Sequence, residues 1–340
     1  MEQRVVLEGK QVTTGYVRGR HTTVVHEGLD FCLKSGELTC LLGCNGAGKS
    51  TLLRTLSSIQ PALSGQLTLL GRSLSDYSPR ERSKNIGVVL TDRTQSGGLS
   101  VFELVALGRQ PHTGFFGRLT TYDKSLVTRA IEAVGIGNKV RNYVAELSDG
   151  ERQKAMIAKA LVQECPLIIL DEPTAFLDVV SRIEVMALLH RLAVEENKAI
   201  LLSTHDIDQA LVLADRLWLM SPGNRLICGV TEDVILGGGM DALFSHPSIH
   251  FDLMHGVYSP KVCGDRHIVL QTDDEVLRHW TQNALNRHGF LCLSEPTSVD
   301  SPVLKVISSG DIRLHHAGKE YRMKSFGEML VLLAGEKLLS

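Results

Sequence analysis

The chain has 340 residues, 43% hydrophobic and 22% charged, with a formal net charge of −2. That length exceeds what a single core usually holds, so two domains are expected, and the near-neutral balance argues against a strongly basic nucleic-acid binder. There is no N-terminal apolar signal region and no apolar run near the ~18 residues that span a bilayer, so a soluble chain is expected, with any membrane role exercised through a partner.

Taken from the start, residues 4–7, 11–14 and 24–33 are short β-like runs separated by Gly15, Gly19 and Gly28, which predicts a small antiparallel sheet. Tyr16 is placed either to stack on an adenine ring or to serve the sheet structurally. The apolar run 38–42 then predicts a buried strand. It leads into Gly43-Cys44-Asn45-Gly46-Ala47-Gly48-Lys49-Ser50-Thr51, and a helix-periodic segment follows. Strand, glycine-rich loop and helix in this order are the context of a phosphate-binding loop. The glycines let backbone N–H groups converge on phosphate oxygens at the positive end of the helix. Lys49 is expected to reach the β- and γ-phosphates, and Ser50 to offer a hydroxyl to Mg²⁺. The bound ligands expected here are therefore ATP and Mg²⁺.

Cysteine usage bears on the compartment. Seven cysteines without a Cys-x-x-Cys pair fit a reducing cytoplasm better than a disulfide framework or a zinc site. Cys44, inside the loop, is either reactive toward thiol reagents in competition with ATP or simply packed.

Beyond the loop, 65–70 and 86–90 read as strands, the second one buried, and the spacing over 101–109, 122–135 and 151–163 predicts helices. The break 109–117 is a loop whose phenylalanines, Phe115 and Phe116, serve as a buried anchor or an exposed contact. Leu147-Ser148-Asp149-Gly150-Glu151-Arg152-Gln153 opens the last of these helices. Ser148 or Asp149 can cap it, and Gly150 allows close backbone approach to an anion. The apolar strand 167–170 ends in Asp171-Glu172, on the ligand side of a parallel sheet. There Asp171 can hold Mg²⁺ through water and Glu172 can polarise an attacking water. Another apolar strand, 199–203, ends in Thr204-His205-Asp206, where His205 can donate to a γ-phosphate.

The C-terminal part starts with 217–220 and 225–228, a hairpin closing the core, followed by a helix at 231–236 and a flexible break at Gly237-Gly238-Gly239. Segments 267–270, 290–293, 303–307 and 312–315 suggest a small sheet covered by helices at 274–287 and 325–334. Its role is not readable from the residues. The scattered His246, His250, His255, His315 and His316 lack an accompanying acidic or cysteine cluster, which argues against a metal site.

These clusters in this order make residues 1 to about 235 resemble an ABC transporter ATPase subunit. The resemblance is carried by the phosphate loop, the signature at 147–153, the strand acids Asp171 and Glu172, Leu177-Asp178 in the D-loop position and the switch His205. It implies an α/β fold: a P-loop ABC-type ATPase core with an antiparallel β subdomain and a helical subdomain. The expected division is 1–236 for the ATPase domain and 245–340 for a C-terminal α+β appendage. Residues 99–112 are similar to the iron-siderophore, haem and cobalamin importer branch, where this region lies near the groove for a permease coupling helix.

The resemblance further implies a homodimer sandwiching two ATPs, with Ser148 and Gly150 meeting the partner's γ-phosphate and Tyr16 stacking on adenine. Nucleotide contacts are expected from Gly43, Asn45, Gly46, Gly48, Lys49, Ser50 and Thr51, with catalysis by Glu172, His205 and Lys49. The other implied partners are two integral-membrane permeases and, indirectly, a substrate-binding protein. No nucleic acid is expected, and the chain would lie peripherally on the cytoplasmic face of the cell membrane.

Two departures bear on coupling. Thr91 stands where the family usually has glutamine as a Mg²⁺ ligand; it offers a shorter oxygen, and Gln95 would serve only if the loop bulged. Asp149 stands at a usual signature glycine and either turns outward, caps the helix or repels the triphosphate. An ATP-driven importer subunit is the leading reading. A soluble non-transport ABC ATPase or a regulatory ATP-binding protein is the alternative.

Overall fold

The computed structural model describes residues 4–90, 98–114, 117–221, 225–244, 246–261, 266–296 and 301–334. Thr91, Gln95, Phe115 and Phe116, and residues 222–224, lie outside the described residues. The chain divides into two compact units, one of residues 1–245 with 251–257, the other of 246–250 with 258–340.

The first unit is built on a six-stranded sheet. In spatial order its strands are Arg225–Val230, Arg216–Ser221, Leu38–Gly43, Ala199–Ser203, Leu167–Asp171 and Ile86–Val89. The last five run parallel, and Arg225–Val230 closes one edge antiparallel. The strands Leu38–Gly43 and Ala199–Ser203 are buried at every residue. A strand covered on both faces has no solvent side, so its sequence runs apolar without alternation. Trp218 is fully buried, with its ring centroid 5.0 Å from that of Phe31.

The expected antiparallel sheet is present and larger than the short runs suggest. Val5–Arg18 and His21–Lys34 form one long hairpin, and Ser64–Leu69 and Arg72–Ser73 extend it. The register shifts along the hairpin, and these irregularities break the alternation on which strand reading depends. The helical part contains Val101–Ala106, Thr121–Ala133 and Asp149–Leu161, as the spacing predicts. Arg109, 3% exposed, pins it: Nε donates to Asp123 Oδ1 at 2.9 Å, and Nη1 donates to the Val162 carbonyl at 2.9 Å and to Glu164 Oε2 at 2.7 Å.

Gly237-Gly238-Gly239 is not a flexible break. Gly238, at φ 77°, turns the helix Thr231–Leu236 directly into a second one, Gly239–Leu243. A Cβ on Gly239 would lie 2.8 Å from the Val234 carbonyl oxygen, so the glycine there serves a close approach between helices.

Strands Ile249–Asp252 and Val257–Pro260 form a separate two-stranded sheet. The second unit is a five-stranded mixed sheet ordered Phe290–Leu293, Arg266–Gln271, Val303–Ser308, Asp311–His316, Lys319–Met323. The helices Glu275–Arg287 and Phe326–Ala334 bury Leu285, Met329 and Leu333 in a core with Ile268, Phe290 and Leu304. Among the described residues no helix is long and apolar enough to cross a membrane.

Candidate functional site

Three neighbouring parallel strands carry the chemistry. Ser203 at the end of Ala199–Ser203 lies opposite both Leu41 and Asp171. Ala199–Ser203 and Leu167–Asp171 therefore end level, and Leu38–Gly43 runs two residues further in the same direction, which sets the phosphate loop, His205 and the two acids at one edge of the sheet. This is the ligand edge of an α/β sheet.

The loop from Gly43 curls into the helix Lys49–Leu56, with Gly46 at φ 79° and Gly48 at φ 91°. Both angles lie where a Cβ is strained, so the glycines are required by the backbone itself. Lys49 is 6% exposed, and its Nζ donates to the carbonyls of Gly43 at 2.6 Å and Cys44 at 3.2 Å. Burial lowers its pKa; the negative fields of Glu172, Cys44 and Asp171 oppose that shift. The ammonium thus already sits in the field of both strand acids, while Asn45, Gly46 and Ser50 are exposed at the loop surface and Thr51 is half-buried. Cys44 is half-buried, and its Sγ donates to the Leu243 carbonyl at 3.7 Å.

The strand acids are fixed by Ser203. Its hydroxyl donates to Asp171 Oδ1 at 2.6 Å and accepts from the Glu172 N–H at 3.0 Å. Glu172, just past the strand end, adopts φ 49°, the left-handed region, so the backbone leaves the strand there. Its Oε1 lies 2.7 Å from His205 Nε2. The D-loop turn is tied to the same place. Asp206 accepts from Thr174 Oγ1 at 2.6 Å and from Arg182 Nη1 at 2.6 Å, and Arg182 also donates to the Leu177 carbonyl at 3.1 Å. Asp178 caps the helix Val179–Glu195, accepting from Ser181 N at 3.0 Å.

Of the two candidate caps in the signature, Ser148 is the one used. Its hydroxyl accepts from Glu151 N at 3.3 Å, and the Glu151 carboxylate accepts from Ser148 N at 3.0 Å. Asp149 turns outward: its carboxylate is 61% exposed and accepts from Arg152 Nη1 at 3.0 Å. Gly150 is buried, and a Cβ there would lie 3.0 Å from Ser181 Oγ, so packing alone restricts this position. Among the described residues, no hydrogen bond joins Ser148 or Gly150 to the phosphate loop.

Tyr16 is 43% exposed beneath the Arg18 guanidinium, 5.6 Å from its ring centroid. Its strand is tied to the loop helix through Gln60, whose Nε2 donates to the Gly15 carbonyl at 3.0 Å and to Thr55 Oγ1 at 3.1 Å.

Sequence reasoning did not find Ser203, Arg182 or Asp206, nor the buried His26. Ser203 carried a faint signal, a hydroxyl closing an otherwise apolar strand. The others are given their place by contacts such as His26 to Ala47, Arg182 to Asp206 and Thr174 to Asp206, 21, 24 and 32 residues apart in sequence, which no local pattern reveals.

The oxygen donors present, the Ser50 hydroxyl and the Asp171 and Glu172 carboxylates, beside a buried lysine, are a set suited to a magnesium nucleotide.

Comparison with known proteins agrees. The family "ABC transporter" matches residues 26–175, and "Iron ABC transporter C-terminal domain" matches residues 265–334. An uncharacterized ABC transporter ATP-binding protein of Methanocaldococcus jannaschii is 38% identical over 256 residues, covering 75% of this chain and 87% of that one. The ferric enterobactin transport ATP-binding protein FepC of Escherichia coli is 37% identical over 229 residues, 67% of this chain and 83% of that one. Among solved structures, cbiO1 of Clostridium perfringens, part of the ABC transporter complex cbiONQ, superposes with a TM-score of 0.60 at 29% identity. It covers 68% of this chain and 91% of its own. With this fold and this site, the chain belongs to the ATP-binding subunits of ABC transporters and is an ATPase.

Proposed function

We propose that the chain powers import of an iron chelate, with haem and cobalamin as the neighbouring cargo classes, through separate membrane permeases. The observation that carries the mechanism is the placement of phosphate loop, Asp171-Glu172 and His205 at the same edge of three adjacent parallel strands. The cargo class rests on the iron-transporter match at 265–334 and on the ferric enterobactin relative.

In this reading, residues 1–236 are the ATPase domain and 245–340 the appendage. Gly43, Asn45, Gly46, Gly48, Lys49 and Thr51 hold the phosphates, and Tyr16 stacks on adenine. Ser50 and Asp171 would hold Mg²⁺, which would supply charge neutralisation for the phosphates, and Thr91 is an additional candidate ligand. Glu172 orients and deprotonates the attacking water, and His205 donates to the γ-phosphate. Ser148 and Gly150 act on the nucleotide of a second copy. The exposed apolar residues Phe176, Val179, Val180 and Ile183, beside the D-loop, support a face that a second copy covers.

A groove of about 820 Å³ fits the permease contact. Its walls include Arg80, Arg82, Leu107, Gln110, Pro111 and Lys159, which takes in the end of the importer-like stretch. The chain would then lie peripherally on the cytoplasmic face of the membrane. Isolation of the tagged protein from native membranes in mild detergent tests this: co-purification of a polytopic permease that stimulates ATP turnover is expected. Recovery of soluble partners alone, with permease present in the input, would overturn the importer reading.

A further inference from the structure

His26 lies opposite Thr14 in the long hairpin and is 1% exposed. Its Nδ1 is 2.7 Å from Thr14 Oγ1, and its Nε2 is 2.7 Å from the Ala47 carbonyl oxygen inside the phosphate loop. A carbonyl only accepts, so Nε2 carries the hydrogen, and Nδ1 then accepts from the Thr14 hydroxyl. Burial lowers the imidazole pKa, against the bond to Ala47, in keeping with a neutral ring. Each ring nitrogen thus has a defined partner.

The ring also forms the floor beneath Gly48. A Cβ on Gly48 would overlap His26 Cε1 and lie 2.5 Å from Val25 Cγ1. The Ala47–Gly48 peptide is trans, and in a planar trans peptide the C=O and N–H point in opposite directions. With the Ala47 oxygen drawn down to His26, the Gly48 N–H points up, away from the ring. No acceptor among the described residues takes it. Without the bond from below, the peptide is free to rotate, because the following glycine tolerates either orientation.

We propose that His26 is a positioning residue for nucleotide binding: its Nε2–H holds the Ala47–Gly48 peptide so that the Gly48 N–H faces the phosphates. The inference rests on the phosphate-loop reading above and adds a residue outside the loop to it. The bond from His26 works before the ligand arrives, so it acts through preorganisation of the nest.

The test compares wild type with His26→Gln, His26→Asn and His26→Leu, measuring MgADP affinity by calorimetry and the unfolding midpoint without nucleotide. A glutamine amide nitrogen reaches the place of Nε2, whereas that of asparagine reaches only the place of Nδ1. Affinity should therefore follow the donor: His26→Gln within about threefold of wild type, and His26→Asn weaker by about 10-fold, the size of one hydrogen bond. His26→Leu should match His26→Asn. If His26→Asn binds like wild type, or His26→Gln binds no better than His26→Asn, the proposal is overturned, and if His26→Leu fails to fold the Gln/Asn pair still decides. Failure of wild type itself to bind MgADP would instead overturn the phosphate-loop reading.

Discussion

Nε2 of His205 lies 2.7 Å from Oε1 of Glu172, at the ends of two strands that are direct neighbours in the sheet. A ring N–H committed to that carboxylate cannot at the same time donate to a γ-phosphate, and a carboxylate so engaged is a weaker acceptor for water. In the proposed roles of Glu172 and His205, the pair would separate before hydrolysis. Glu172→Gln should retain ATP binding while steady-state hydrolysis falls at least ~100-fold, the low end of general-base effects. Gel filtration with ATP should then show an accumulated dimer. Hydrolysis near the wild-type rate in that variant would remove Glu172 from the role of base.

Lys49 donates to two loop carbonyls, at 2.6 and 3.2 Å. Its removal vacates the cation that both strand acids face and leaves the carbonyls of Gly43 and Cys44 without their donor. Lys49→Ala should weaken MgATP binding by at least about 10-fold, since a charge-assisted contact contributes roughly 1.5–3 kcal/mol. Fluorescent-nucleotide titration measures it directly, and affinity unchanged from wild type would contradict the assignment.

The outward turn of Asp149 predicts a small effect at a position where repulsion was conceivable. Its partner is Arg152, and both side chains are well exposed, at 61% and 39%. Such pairs contribute about 0–1 kcal/mol, so Asp149→Asn should alter kcat/KM for ATP by less than about threefold. A rise of tenfold or more would show that the carboxylate opposes the triphosphate.

Arg109 and Asp123 give the helical part an acid-sensitive clasp. The Thr120 hydroxyl and backbone N–H and the Arg109 guanidinium hold Asp123 below its ordinary value of 3.8. A carboxylate whose folded pKa is depressed contributes stability that is present above its unfolded value and lost as pH falls through the lower folded one. Denaturation midpoints should thus decline below about pH 4, and less steeply in Asp123→Asn than in wild type. At neutral pH, Arg109→Ala should cost about 3–5 kcal/mol, because it removes the cation from a buried ion pair and leaves the Thr120 donors alone on Asp123. Parallel pH profiles for wild type and Asp123→Asn would rule out the clasp.

Local pattern carried the chemistry well and the bracing poorly. The loop 43–51, the acids at 171–172 and the switch at 205 each end an apolar run, so a strand pattern followed by polar residues marked them. The appendage's helices and four of its strands were visible for the same reason. The fifth strand of its five-stranded sheet, Lys319–Met323, was not, since the only apolar alternation in this short edge strand is Tyr321 and Met323, set among Lys319, Glu320 and Arg322. His26 escaped for another reason. In sequence it is one histidine in a mixed run, and only the 21-residue crossing to Ala47 gives it a role. Gly237-Gly238-Gly239 misled in the opposite sense, because three glycines read as slack until the helix packing that needs them is seen.

The left-handed backbone of Glu172, φ 49°, has a consequence for laboratory evolution. A non-glycine residue there bears roughly 1–2 kcal/mol of steric strain, of which glycine would recover up to about 1 kcal/mol after its entropic penalty. Selection for heat resistance alone should therefore enrich Glu172→Gly, a more durable protein without the base proposed for it. Libraries screened for thermal survival need a simultaneous screen for turnover, or this codon will be among the first to be lost.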